Sequence, residues 1–191
     1  MNRLFAFALP FFLLLIFAPL PASARWNPCA SETAKEQGID DRKISETVAR
    51  FKNSDPGIKK FFKKAYGYAI FPTVGKVGFG IGGAHGKGKV YKKGKYVGRT
   101  KLTQLTIGFQ LGGQAYSEII FFKDARALED FQSGNFELGA QASAVALTAG
   151  ASLDAAYDNG VAIFTVVKGG LMYEASVGGQ KFSYKPKPKK K

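Results

Sequence analysis

One cysteine (Cys29) and one histidine (His85) are all that 191 residues offer of the two commonest soft metal ligands. An internal disulfide, a His/Cys zinc site and a cysteine-rich cluster are therefore excluded. No G-x-S-x-G elbow is present and no nucleophile stands near His85, which Ala84 and Gly86 flank, so a catalytic triad finds no support. Asp154, Asp158 and Glu174 show no spacing that couples an acid to a base. Acidic residues are themselves scarce, 14 against 28 Lys+Arg, which gives a formal net charge of +14. What is plentiful is apolar and small: 46% hydrophobic, 14% aromatic and 23 glycines. Such a chain can bury a core, and so much glycine argues against an all-helical fold. The expectation is one basic, non-enzymatic domain with neither metal nor cofactor.

The ends carry addresses. Arg3 precedes an apolar run from Leu4 to Leu20, broken by Pro10 and Pro19 and followed by Ala22-Ser23-Ala24. A short apolar helix with small residues at the cleavage position reads as a secretory signal peptide over 1–24. Residues 25–39 then form a leader holding Cys29, a lone exported thiol, and the domain runs over 40–184. The lysine- and proline-rich segment 185–191 cannot continue a helix and reads as a solvated basic tail. An exported chain of this charge meets anionic headgroups or envelope polymers before nucleic acid.

Between Asp40 and Lys52, Ile44, Val48 and Phe51 recur at helical spacing. Asp55-Pro56 starts a second helix, of about three turns by its pattern. Ile58, Phe61, Phe62, Ala65 and Tyr66 share one face of it, and Lys59, Lys60, Lys63 and Lys64 the other. Beyond Tyr66 the period becomes two. Val77, Phe79 and Ile81 alternate with Gly78, Gly80 and Gly82, and Leu105, Ile107, Phe109 and Leu111 repeat the pattern, giving strands with one bulky face and one bare face. Lys87, Lys89, Lys92, Lys93 and Lys95, set among glycines, predict a hairpin with a basic tip.

Tyr116 to Phe122 reads as a strand buried on both faces. Asp124 caps a short helix through Phe131, and strands are expected from Leu138 to Ala156. Further strands follow at Val161 to Val167, from Leu171 to Val177 past a Gly169-Gly170 turn or bulge, and through Phe182 and Tyr184. The fold class is α+β: two N-terminal helices, then a glycine-rich, strongly curved, mainly antiparallel sheet or barrel-like core with one inserted short helix.

Two glycine strings imitate nucleotide motifs. Gly78 to Gly83 satisfies G-x-G-x-x-G, and Gly83 to Lys89 satisfies the start of a phosphate loop. Both lie in period-two sequence where no helix opens, and Val90 stands where Ser or Thr would hold magnesium, so neither is a phosphate site.

The blocks Ala65 to Pro72, Lys76 to Gly83 and Gly86-Lys87-Gly88 resemble the opening of the SYLF lipid-binding domain family. Thr106 to Gln114, Glu118 to Phe122 and Phe136 to Ser143 resemble its later blocks in the same order. The resemblance spans roughly Ile44 to Tyr184 and implies a phospholipid-binding module. Eukaryotic members also associate with actin, which an exported protein is not expected to meet.

Together these readings predict an exported protein of the periplasm or cell envelope that binds anionic phospholipid or a membrane surface, not nucleic acid. Ile58, Phe61 and Phe62 would insert or dock while Lys59, Lys60, Lys63 and Lys64 meet phosphates, with Lys87, Lys89, Lys92, Lys93 and Lys95 of the hairpin as further contacts. If the Phe/Ile face instead packs on the sheet, the hairpin and tail lysines become the contact surface. The alternative is a small outer-membrane or envelope β-barrel, suggested by glycine, aromatics and alternation.

Overall fold

The computed structural model describes residues 39–134, 136–138, 145–146 and 148–188. The expected signal peptide, nearly all of the leader with Cys29, and the last three lysines lie outside the described residues. The described elements are α1 (Asp41–Ser54), a 3-10 turn (Pro56–Ile58), α2 (Lys59–Lys64), β1 (Gly67–Lys92), β2 (Lys95–Phe122), α3 (Ala125–Gln132), β3 (Glu137–Leu138), β4 (Val145–Ala146) and β5 (Val161–Pro186).

The helix starts follow their capping residues. The Asp40 side chain accepts from Arg42 N–H, and the Asp124 carboxylate from Ala127 N–H. Asp55 accepts from Gly57 N–H, with Pro56 at the first helical position. That tight cap changes the second helix. Instead of three α-turns, the chain makes the 3-10 turn and then the six-residue α2, because the Lys59 N–H turns back to Gly57 and Pro56 carbonyls.

Three long strands and the short β3 build the sheet in the order β1-β2-β5-β3, all antiparallel, with β4 pairing parallel to β5. β1 spans 26 residues, which drawn straight would extend about 85 Å. It does not run straight. The Lys93 N–H, just past its end, donates to Tyr66 O just before its start, at 2.9 Å. Across the coil, the Phe182 ring of β5 lies 5.8 Å from Phe71 of β1. Each strand therefore doubles back, and glycine on the inner face makes this possible. A Cβ on Gly86 would lie 2.8 Å from Val74 Cγ2, and one on Gly88 2.8 Å from Ile70 O.

The sheet curls without closing. The barrel-like core expected from the glycine pattern is an open sheet, because the two ends of β1 meet at that Lys93–Tyr66 bond instead of through a ladder, and the short β3 and β4 take the opposite edge. The strands expected on either side of Gly169-Gly170 are one continuous strand. Ala115 pairs with Gly169 and Tyr116 with Val167, so Lys168 is the extra residue of a bulge. Of the strands expected from Leu138 to Ala156, β3 and β4 are described; residues 139–144 and 147 lie outside the described residues.

Two apolar layers result. Inside the coil, Phe71, Val74, Val90, Leu102, Ile120, Phe122 and Phe182 pack together under Ala127, Leu128 and Phe131 of α3. Outside it, Ile70, Ile119, Phe121 and Phe164 are covered by Ile44 and Phe51 of α1 together with Ile58 and Phe61. β2 thus has core on both faces from Tyr116 to Phe122, as its run of apolar residues predicts. No described helix is long and apolar enough to cross a membrane.

Candidate functional site

The helix and the hairpin that the sequence singles out meet in space. Tyr91 pairs with Tyr96 and Lys92 with Lys95, leaving Lys93-Gly94 as a two-residue loop whose residues have φ of 48° and 76°. Positive φ at both positions gives the twist that a tight hairpin needs, and Gly94 supplies the second at no steric cost. Because the Lys93 N–H reaches Tyr66 O, this tip lies beside the end of α2. Lys92 and Lys93 both stand over the Tyr66 ring, their Nζ atoms 5.2 and 5.3 Å from its centroid. Hydrogen bonding and charge interaction with Tyr66 raise Lys92 above the ordinary lysine pKa. Lys63 and Lys64, three and two positions before Tyr66, are exposed, as are Lys93 and Lys95. One end of the described domain is therefore a basic surface built from two separate stretches of chain.

The apolar half of the sequence-predicted site goes elsewhere. Ile58 is fully buried and Phe61 is 4% exposed, with the Phe61 ring 4.8 Å from Phe164 and 5.5 Å from Phe121. Phe62 is half-buried and edge-on to Phe121 at 4.9 Å. These side chains hold α2 on the sheet and do not face a ligand, for the physical reason that the outer face of β1, β2 and β5 beneath them is itself apolar. The lysines divide as well. Lys60 donates to Leu153 O, and Lys89 pairs with Asp41 at 2.6 Å. Lys59 and Lys87 are exposed and, like Lys63, Lys64 and Lys95, have no carboxylate partner among the described residues.

A second surface was not singled out by sequence reasoning. Where the sheet bends, its outer face lacks a helical cover. Val77, Phe79 and Ile81 of β1 are 67, 84 and 66% exposed, and Leu105, Ile107, Phe109 and Leu111 of β2 are 50 to 69% exposed. Register joins them: Phe79 pairs with Leu111 and Ile81 with Ile107. The opposite face of the bend is polar and close-packed. There Thr106 Oγ1 donates to Gln110 Oε1 at 2.7 Å, and the Gln110 side chain fills the space that Gly78 and Gly82 leave open. Alternation with glycine did show which face is bulky; nothing in it shows whether another element covers that face.

No group of three His, Cys, Asp or Glu among the described residues could hold a metal ion, and His85 is exposed on β1 opposite Thr103. The two surfaces, one cationic and one apolar, suit binding.

Residues 103–188 match the family model Ysc84, described as Las17-binding protein actin regulator. The chain is also 30% identical over 154 residues to Beta cell expansion factor A of Aeromonas veronii, an alignment covering 79% of this chain. The chain belongs to the SYLF (Ysc84) family. It spans 58% of the length of that relative. The family match covers β2 from Thr103 onward, α3 and β5, and so includes four of the bend's exposed apolar residues, Leu105, Ile107, Phe109 and Leu111. SYLF membership suggests lipid or actin-related binding and is not known to bring enzymatic activity.

Proposed function

We propose that this SYLF protein is a non-enzymatic, exported protein that attaches peripherally to anionic membrane in the periplasm or cell envelope. The observation that carries the reading is the basic end of the described domain, where Lys92 and Lys93 stand over Tyr66, Lys95 pairs with Lys92 across the hairpin, and Lys63 and Lys64 of α2 lie just before Tyr66 in the chain. Near an anionic surface each such lysine contributes on the order of 1 kcal/mol, so five together support reversible attachment without any buried site. Family membership supports lipid as the ligand class, and the open sheet speaks against the envelope-barrel alternative. Lys59 and Lys87 add to the surplus of positive charge.

Co-sedimentation with phosphatidylcholine vesicles, with and without phosphatidylglycerol, tests this at low and high salt. Binding that needs the anionic lipid and weakens with salt is expected, because exposed charges are screened within about 10 Å at 0.1 M salt. Changing Lys92, Lys93 and Lys95 to Glu should weaken it further. Salt-insensitive binding, or binding unaffected by those changes, would overturn the electrostatic reading.

A further inference from the structure

We infer that the bare apolar bend of the sheet is a membrane-inserting crest, a contact separate from the basic end and addressed to the hydrocarbon boundary of a bilayer. Seven large apolar side chains at half exposure or more amount to an area on the order of several hundred Å², the size at which an exposed patch marks an interaction surface. The same outer face is covered by α1 and α2 nearer the strand ends, so its apolar character is continuous and only the cover stops. Nor does the inner layer need these residues, since Gln110, Thr106 and the glycines occupy that side.

Shape and charge select the occupant. The crest lies on the outside of a bend and is convex, which suits a deformable bilayer better than a preformed protein groove. The stretches 75–83 and 104–115 contain no Asp or Glu. Cations border the crest on two sides. On one side, four register rows beyond Leu105, Lys87 pairs with Lys101, and both are exposed. On the other, Lys168 stands at the bulge with its Nζ 2.7 Å from Thr73 Oγ1. An apolar centre with a cationic border matches hydrocarbon beneath anionic headgroups.

Backbone pairing also permits insertion. β2 is paired with β5 throughout the bend and with β1 on either side of the bulge at 108–110, so most of its polar groups are satisfied before it leaves water. The free edge of β1 keeps the depth shallow, because unpaired backbone is costly in hydrocarbon.

The crest and the basic end are independent contacts. Phe79 lies 13 residues from Lys92 along β1, roughly 40 Å of extended strand, several times the screening length at physiological salt. The crest inference therefore does not stand or fall with the electrostatic reading above.

The test uses the full-length protein, with Trp26 replaced by Phe so that the indole introduced by Phe79→Trp is the sole tryptophan and serves as reporter. Vesicles of phosphatidylcholine with and without phosphatidylglycerol carry bromine on the acyl chains. The crest inference expects blue-shifted emission from the reporter and at least twofold quenching by the brominated chains. It also expects a Phe79→Gln/Phe109→Gln variant, with circular dichroism and melting temperature retained, to lose at least tenfold in vesicle affinity. Vesicle binding that leaves the reporter in water, or that the double variant retains in full, overturns the crest while leaving lipid binding in place. Binding to neutral vesicles that ignores salt and the Lys92/Lys93/Lys95→Glu changes, yet is lost in the double variant, keeps the crest and overturns the electrostatic reading. A lipid-free dimer by sedimentation velocity that the double variant dissolves, with no vesicle binding, overturns both and makes the crest an interface between copies.

Discussion

Gln180 of β5 donates from Nε2 to Glu118 Oε2 of β2 at 3.1 Å, although these two residues sit 14 pairing rows apart along the β2–β5 ladder. The bond ties one limb of the coiled sheet to the other inside the core. Glu118 is fully buried, its Oε1 has no partner, and burial pushes its carboxyl up to about 7, opposed only by the Gln180 bond. Between the ordinary value of 4.5 and about 7, the unfolded chain releases this proton while the folded chain keeps it. Stability therefore falls as pH rises through that window and levels off above it. Glu118→Gln should remove the burden: equal to the wild type below pH 4.5, and more stable by about 3 kcal/mol above pH 7. Urea denaturation across pH 4 to 8 measures the gap, and a gap independent of pH would refute the assignment.

Glycine on the inner face should be intolerant of even one methyl group where the limbs touch. Gly88→Ala places a Cβ 2.8 Å from both Ile70 O and the Phe71 ring, and backbone cannot give way cheaply. A loss of roughly 1–3 kcal/mol is expected. Gly75→Ala is the matched control, because a Cβ there meets nothing within 4 Å and its φ is ordinary; it should be neutral or stabilising by a few tenths of a kcal/mol. Thermal melts of the two variants side by side decide whether inner-face glycine holds the coil together.

Local chemistry was readable and long-range closure was not. Asp40, Asp55 and Asp124 declare their helix starts, and the apolar run Tyr116–Phe122 declares burial on both faces, because each signal is written within a few residues. The alternation of Val77, Phe79 and Ile81 with glycine likewise gives a strand and its bulky side. That this side stays bare depends on where α1 and α2 end over the sheet, which no spacing within β1 encodes. The same holds for Phe61. Its helical face is amphipathic whether it covers a sheet or a bilayer, and only the apolar partners Phe121 and Phe164, far along the chain, decide between the two.

Splitting α2 by side chain separates packing from binding. Phe61→Ala should cost about 3–5 kcal/mol, since its ring is buried against Phe121, Phe164 and Tyr157. Lys63→Glu/Lys64→Glu should leave stability within about 0.5 kcal/mol, as expected of exposed positions, while reducing affinity for phosphatidylglycerol vesicles severalfold. Chemical denaturation and vesicle sedimentation on both variants give the comparison. A well-folded Phe61→Ala protein that loses lipid binding would return the apolar face of α2 to the membrane contact.

Asp55 latches the 148–157 loop to the helices, and its charge state should show in the pH dependence of stability. Burial alone would raise its carboxyl. Polar neighbours outweigh that effect: the Ser152 hydroxyl beside it, the Ser152 N–H to Oδ2 at 2.7 Å, the Gly57 N–H to Oδ1 at 2.8 Å and the Gly150 backbone hold it below the ordinary 3.8. A lowered folded value means stability that is present above pH 3.8 and lost as pH falls through that lower value. Asp55→Asn keeps the shape but turns an NH2 group toward a donor N–H, so roughly 1–3 kcal/mol should be lost at pH 7. The deficit should shrink as pH falls below 3.8, where the wild-type carboxyl takes up its own proton. Urea titrations at pH 7 and pH 3 measure this, and an equal deficit at both would mean that the Asp55 contribution is packing and not charge.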